Sequence, residues 1–478
     1  MTSPATAKHL INGEFLGESN KERYNPARPS NVAVLSPIGT PTDVDDAISA
    51  AVKAQRAWAA KSAPARGAVL LKAAQLLTER KSRIAEDLVR EEGKTLTEAL
   101  GEVGRAIGVF QFFGSLGWGS SGTIYPSSMP NTTVWTRREP LGVVGLITPW
   151  NFPIAIPSWK TAPALLSGNA VVLKPAEITP MSTTHLGNAL QDAGLPPGLF
   201  NIVHGRGSVV GDAIANDSRV AALSFTGSTQ VGLSLQQTLN ARRARAQLEM
   251  GGKNGVLVLD DSDPHKAAQV VAAGAFGLTG QACTATSRVY VTPGIRQAFL
   301  DELENLASEY QPGDGLDEGT RMGVVVSESQ LEQDITAVQE AVESGAKLVR
   351  GSAEADGMKF NPVVATDVEH DAPIATDEIF GPIVAVLDVS DYETGLDALN
   401  NSRYGLTAGI CTDSLAHSTD FATRVQAGVV KVNRATSGLD LHVPFGGIKD
   451  SSSNTFREQG HTAMDFYTWE KTIYTGLE

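Results

Sequence analysis

Cys283 stands in the stretch Phe276-Gly-Leu-Thr-Gly-Gln-Ala-Cys-Thr-Ala-Thr-Ser-Arg288, with small and hydroxylated residues around it and Gly277 and Gly280 ahead of it. Little side-chain bulk there would hinder a small electrophile from reaching the sulfur. A free thiol of pKa ~8.5 is only a few per cent ionised at neutral pH, yet it is already a strong nucleophile. Lone cysteines are most often small buried hydrophobes, so the stretch gains meaning from its surroundings. Cys411 is the contrast. It closes the apolar run Thr407-Ala-Gly-Ile-Cys411 with no motif around it and reads as core packing.

Six further blocks surround Cys283 in chain order: Thr148-Pro-Trp-Asn-Phe-Pro153, Val172-Leu-Lys-Pro-Ala-Glu177, Phe225-Thr-Gly-Ser-Thr-Gln-Val-Gly232, Leu248-Glu-Met-Gly-Gly-Lys253, Glu378-Ile-Phe-Gly-Pro382 and Pro444-Phe-Gly-Gly447. Lys174 and Glu177 follow an apolar run, where an open α/β sheet places its ribose contacts. Gly227 to Gly232 is a GxxxxG turn without the following Lys-Ser/Thr, so a nucleotide-triphosphatase loop is not indicated. Together these blocks resemble the aldehyde dehydrogenase superfamily over nearly the whole chain.

The resemblance implies roles for individual residues. Cys283 would be the nucleophile, since a thiolate adding to an aldehyde gives a thiohemiacetal that can surrender hydride to a nicotinamide. Asn151, with the backbone N–H of Cys283, would stabilise the oxyanion. Glu249, if desolvated, would activate the water that hydrolyses the resulting thioester. Relatives that pass the acyl group to coenzyme A lack this glutamate, so a free acid is the expected product. Thr148, Trp150, Lys174, Glu177, Gly227, Ser228, Glu378 and Phe380 would contact NAD or NADP. A carboxylate at Glu177 leans slightly towards NAD. Phe152, Ala155, Ser158, Gln281 and Arg434 are the candidate substrate contacts, Arg434 for a substrate carboxylate. No metal site is expected.

Length and composition agree with such an enzyme. A chain of 478 residues exceeds one hydrophobic core. Two cysteines make no disulfide framework and fit a reducing cytosol. The net charge of −14 argues against binding nucleic acid phosphates. The N-terminus lacks the apolar core of a signal peptide, and the apolar run from Leu141 to Trp159 is interrupted by Pro149, Pro153, Pro157 and Asn151, so no membrane association is expected. Cytoplasmic localisation follows as an expectation.

The elements that must position these residues can be read from pattern. His9-Leu-Ile-Asn-Gly13 reads as a hairpin turn. Thr42 reads as the cap of a helix with its apolar face at Val44, Ala47, Ile48, Ala51, Val52 and Trp58. Helical tracts follow over about 64–92 and 95–114, the latter rich in alanine and glycine and suited to close packing. Apolar runs at 142–148, 170–173, 200–204, 220–225 and 255–259 alternate with helical tracts, which implies a doubly wound parallel sheet. The rhythm resumes after Glu249 with strand-like runs at 288–291, 384–389, 407–411 and 429–432. The expected architecture is therefore α/β: two Rossmann-like doubly wound domains plus a β-hairpin arm. Residues 1–118 and 139–250 would form the dinucleotide-binding domain and 251–440 the catalytic domain. Residues 119–138 and 464–478 would form an oligomerisation arm in a homodimer or homotetramer.

The segment from Val432 to Gly460 narrows the subfamily. His442-Val-Pro-Phe-Gly-Gly447, followed by Ser451-Ser-Ser-Asn-Thr-Phe-Arg-Glu-Gln-Gly460, replaces the common Ser-Gly-x-Gly-Arg-Glu and resembles α-ketoglutarate semialdehyde (2,5-dioxovalerate) dehydrogenases. Succinate semialdehyde and aromatic aldehydes such as vanillin are the alternatives, the latter because Ala155 and Ser158 are small. From other classes, a non-catalytic structural protein would not need Cys283, Glu249 and Asn151, and a thiol esterase would leave Glu378 and the Gly227 turn without a task.

Overall fold

The computed structural model describes residues 3–119 and 121–476; Met1 and Thr2, and Ser120, Leu477 and Glu478 of the expected arm, lie outside the described residues. Two seven-stranded sheets organise it. Across the first, the order is Arg245–Glu249, Val220–Thr226, Val143–Ile147, Ala170–Lys174, Phe200–Ile202, His9–Ile11 and Glu14–Leu16. The first five are parallel and the last two antiparallel. Val143–Ile147 and Ala170–Lys174 are buried at every residue, as strands covered on both faces must be. Chain order departs in opposite directions from Val143–Ile147, so the switch point falls between it and Val220–Thr226. Ligands bind at such a crevice, outside the carboxyl ends of the strands.

The second sheet runs Lys347–Arg350, Val363–Thr366, Ile383–Asp388, Arg288–Val291, Gly255–Val258, Thr407–Cys411 and Val429–Val432, all parallel except the first. Its own switch point lies between Gly255–Val258 and Thr407–Cys411. Both doubly wound sheets expected from the apolar rhythm are present.

Local chemistry explains most boundaries. The hairpin turn at Asn12-Gly13 has φ of 52° and 81°, which asparagine and glycine tolerate. The first helix, Pro41–Ala59, is capped by Thr40 and not by Thr42. Thr40 Oγ1 accepts from the Asp43 N–H while the Asp43 carboxylate accepts from the Thr40 N–H, and Pro41 suits the first helical position. The tract over 64–92 is two helices, Ala63–Glu79 and Lys81–Glu92, broken at Arg80 with φ −103° and ψ 4°. Leu96–Leu116 lies so close to Ala63–Glu79 that a Cβ on Gly67 would sit 2.3 Å from the Gly114 carbonyl oxygen. The short helix Asp212–Asn216 is preceded by a π turn, Gly207–Gly211.

A third sheet is the arm. Thr468–Gly476 pairs antiparallel with Thr132–Pro140, from Thr468 opposite Pro140 to Gly476 opposite Thr132, and Ile124–Tyr125 flanks it. The two arm segments therefore mate within one chain. Asn169 Nδ2 donates to the Tyr467 carbonyl at 2.9 Å and ties the arm to the first sheet. Among the described residues no helix is long and apolar enough to cross a membrane.

Candidate active site

The first sheet's switch point opens into a cavity of about 290 Å³ whose walls include Trp150, Asn151, Thr226, Gly227, Ser228, Cys283, Glu378 and Phe380. The end of the strand Val220–Thr226 and three irregular loops, around Asn151, Cys283 and Glu378, supply them.

The cysteine segment follows the helix Pro264–Phe276 and turns through Leu278, Thr279 and Gly280 at φ of 54°, 57° and 66°. Two non-glycine residues in this left-handed region carry strain. Gly280 is required by space as well, because a Cβ there would lie 2.1 Å from the Gly381 carbonyl oxygen. The cysteine loop and the Glu378-Ile-Phe-Gly-Pro382 loop thus interlock. The Leu278 N–H donates to Glu98 at 2.7 Å, and the Gln281 side chain bridges to the backbone, accepting from the Val326 N–H at 2.9 Å.

Glu378 accepts from the Gly252 N–H at 3.0 Å, and a Cβ on Gly251 would overlap its carboxylate. Burial raises its pKa to about 7 against the opposing effects of the Gly252 N–H and Lys253. Phe380, at φ 73°, sets its ring edge-on to Trp150 at 5.4 Å. Asn151 is buried and donates from Nδ2 to the Gln281 carbonyl at 3.0 Å, which joins its loop to the cysteine loop. An amide NH₂ has two hydrogens, so one remains for a second acceptor. Beneath it, buried Lys94 donates to the Asn151 carbonyl and to Glu102, both at 2.7 Å, and Glu102 accepts from the N–H groups of Ile154 and Ala155.

Glu249 ends the edge strand Arg245–Glu249 and is buried. The residues that depart from the common motif cover that edge: the Met250 N–H donates to the Ser451 carbonyl at 2.9 Å and the Ser453 N–H to the Leu248 carbonyl at 3.0 Å. The Glu249 carboxylate accepts from the Gly447 N–H at 3.2 Å and from the Ser452 hydroxyl at 3.3 Å. Gly446 must be glycine, since a Cβ would come within 2.6 Å of Glu249 Oε1. Behind Glu249, buried Lys160 pairs with Glu458, which also accepts from Trp159 Nε1 at 2.7 Å. Burial, and then the Glu458 charge, pushes the Glu249 pKa well above the carboxylate range, with Lys160 opposing. Burial and the charges of Glu378, Glu249 and Glu458 likewise push the Cys283 thiol up, while its own backbone N–H favours the thiolate.

A family model described as "Aldehyde dehydrogenase family" matches residues 16–473. The chain belongs to the aldehyde dehydrogenase family. It is similar to the alpha-ketoglutarate semialdehyde dehydrogenase of Haloferax volcanii, 46% identical over 99% of both chains. It is also similar to the 2,5-dioxopentanoate dehydrogenase of Saccharolobus solfataricus, 42% identical over 95% of both. The NAD+ complex of an aldehyde dehydrogenase from Bacillus cereus superposes with a TM-score of 0.95, at 33% identity, covering 99% of this chain and 97% of that one. The protein is an NAD(P)-dependent aldehyde dehydrogenase.

The crevice of this aldehyde dehydrogenase fits NAD or NADP. Among the described residues, the hydroxyl of Thr226, in the cavity wall, and that of Thr148, just past the strand Val143–Ile147, are buried without a hydrogen-bond partner, as groups that await a ligand would be. Gly227 has no room for a side chain, with Phe225 2.6 Å from where a Cβ would stand. Lys174 is buried at the end of Ala170–Lys174, donates to the Pro175 carbonyl at 2.9 Å and has its pKa lowered to about 8 by burial. Glu177 pairs with Lys21.

In this aldehyde dehydrogenase, Ala155, Ser158, Gln281 and Arg434 lie outside the walls of the Cys283 cavity. Ala155 and Ser158 are fully buried in the helix Ala155–Leu166, where Ser158 Oγ donates back to the Ile154 carbonyl. The Gln281 side chain is spent on Val326. Arg434 is exposed on the wall of a separate cavity of about 590 Å³ with Lys266 and Cys411. It follows the far edge strand of the second sheet, and the chain returns towards Cys283 only at Thr436, whose hydroxyl donates to the Thr284 carbonyl at 2.7 Å. Phe152 is half-buried with Lys94 over its ring. Pattern reading missed Lys94, Glu102, Lys160, Glu458 and Lys21. A buried lysine and its carboxylate have no local sequence signature.

Proposed function

We propose that this enzyme oxidises 2,5-dioxopentanoate to 2-oxoglutarate and releases the free acid. The substrate reading is supported by likeness over essentially the full chain to proteins named for that aldehyde. The chemistry rests on one observation: Cys283 and Asn151 share a cavity wall, and buried Glu249 is close enough for its charge to raise the thiol pKa.

Cys283 Sγ, as thiolate, forms a C–S bond to the aldehyde carbon, and the carbonyl electron pair moves onto oxygen. The second Nδ2 hydrogen of Asn151 and the backbone N–H of Cys283 stabilise that oxyanion. Thr148, Trp150, Lys174, Glu177, Gly227, Ser228, Glu378 and Phe380 would hold NAD(P)+, which would supply the acceptor for the hydride that leaves the carbon as C=O re-forms and the thioester results. Glu249 then removes a proton from water as its oxygen attacks the thioester carbon. The C–S bond breaks with its electron pair returning to Cys283 Sγ, the acid leaves, and the Glu458 carboxylate, held by Lys160, gives the Glu249 proton a buried acceptor to move towards. Residues 1–118 and 139–250 act as the dinucleotide-binding unit and 251–440 as the catalytic unit. Residues 119–138 and 464–478 form the arm of a cytoplasmic homo-oligomer.

The test is the initial rate of cofactor reduction with 2,5-dioxopentanoate, succinate semialdehyde and vanillin, each with NAD and NADP. The highest kcat/KM is expected for 2,5-dioxopentanoate, with 2-oxoglutarate as product. A preference for vanillin would overturn the substrate assignment.

A further inference from the structure

Glu177 lies three residues beyond Lys174 at the carboxyl end of the first sheet, and its carboxylate is not free. Lys21 Nζ donates to it. Lys21 comes from elsewhere: it begins the strand Lys21–Asn25, which pairs with Arg28–Ser36 in a separate small sheet, Lys21 opposite Ser36. The ammonium of Lys174 faces the same place, since the charges of both Glu177 and Lys21 act on it. Two cations therefore flank one carboxylate, leaving one net positive charge. The pair stays reachable, with 36% of the Lys21 side chain and 26% of that of Glu177 exposed.

A free carboxylate here accepts a ribose 2′-hydroxyl and repels a 2′-phosphate, while a nearby cation accommodates the phosphate. A phosphate monoester carries about −1.5 to −2 at pH 7 and bonds strongly to cations. We propose that Lys21 is a cofactor-specificity residue: by pairing with Glu177 it cancels the repelling charge, so that the adenosine end of the site accepts the 2′-phosphate of NADP. This rests on the reading of Lys174 and Glu177 as ribose contacts. The slight lean towards NAD read from Glu177 alone is reversed by a lysine that precedes it by 156 residues. An ammonium has three N–H donors, so Lys21 keeps its bond to the Glu177 carboxylate and still has donors for the phosphate.

The experiment uses the full chain as Lys21→Ala, Lys21→Glu and Glu177→Ala beside the unaltered enzyme. KM and kcat are measured for NAD and NADP at one saturating aldehyde concentration, and NADH and NADPH binding is titrated by fluorescence without aldehyde. The unaltered enzyme takes NADP at least as well as NAD. Lys21→Ala lowers the NADP-to-NAD ratio of kcat/KM by roughly 10-fold, the worth of one charge-assisted hydrogen bond, and Lys21→Glu lowers it further. The loss falls on the NADP KM and the NADPH Kd, with kcat retained. A ratio unchanged within about twofold, or an equal loss for both cofactors, overturns the proposal; if Glu177→Ala still moves a cofactor KM, the ribose reading survives. No effect from any of the three variants overturns both.

Discussion

The two cysteines sit at the crevices of two similar sheets, yet only one is placed to react. Cys411 is the last residue of a ladder strand, buried, and burial alone pushes its thiol up to about 12. Its carbonyl is taken by the Leu259 N–H and the Ser262 hydroxyl. Cys283 lies outside any ladder, on backbone bent through three left-handed residues, partly exposed to a cavity, with its own N–H turned to its sulfur. Burial, and then the nearby carboxylates, raise its pKa as well. A regular strand gives a sulfur neighbours but no spare donors. An irregular loop gives it both an approach path and an oxyanion site, at a cost in strain that the interlock of Gly280 with Gly381 holds in place.

That contrast is most sharply tested by removing each sulfur. Cys283→Ala is expected to lower kcat/KM by about 10⁴-fold or more, measured as cofactor reduction, with the melting temperature little changed. Glu249→Gln is expected to lower the steady-state rate by roughly 10²- to 10⁴-fold, with one equivalent of reduced cofactor released in a burst as the thioester accumulates. Because burial raises the Glu249 pKa, the carboxylate is protonated at low pH and becomes a base as pH rises. The steady-state rate of the unaltered enzyme therefore climbs with pH, and the glutamine variant loses that limb. Ser452→Ala removes a donor to the charged form, so the same limb moves to higher pH with a several-fold loss near neutrality. The smallest effect belongs to Cys411→Ala: kcat within about twofold, and about 1–2 kcal/mol of stability lost on unfolding in urea. Iodoacetamide labelling sorts the two thiols directly. Modification of Cys411 before Cys283 would break the comparison.

Pattern reading recovers the two sheets because fully buried parallel strands are short apolar runs, such as Ala170–Lys174 and Gly255–Val258. It misses Arg245–Glu249, whose sequence Arg-Ala-Gln-Leu-Glu has no apolar run, since this edge strand is covered by a loop carrying Ser451 to Ser453. It finds Cys283, Glu249 and Asn151 through motifs, and the cavity does gather Cys283 with Asn151. It offers Arg434 for a substrate carboxylate because an arginine fork suits one, and the structure sets that residue on the wall of a second cavity with Lys266 and Cys411. The lysines at 21, 94 and 160 stay invisible for a different reason. Each is defined by a partner in another element, and no period or spacing in one sequence records such a pairing.

The pairing of Lys160 with Glu458 also bears on how the enzyme is made. The carboxylate leaves the ribosome 298 residues after its lysine, an interval of roughly 15 to 60 seconds at ordinary elongation rates. During that time the first sheet can assemble its strands, but the chamber behind Glu249 lacks its counter-charge. A nascent chain that ends short of residue 458 already contains the nucleophile, the base and the amide, but leaves Lys160 without its carboxylate partner.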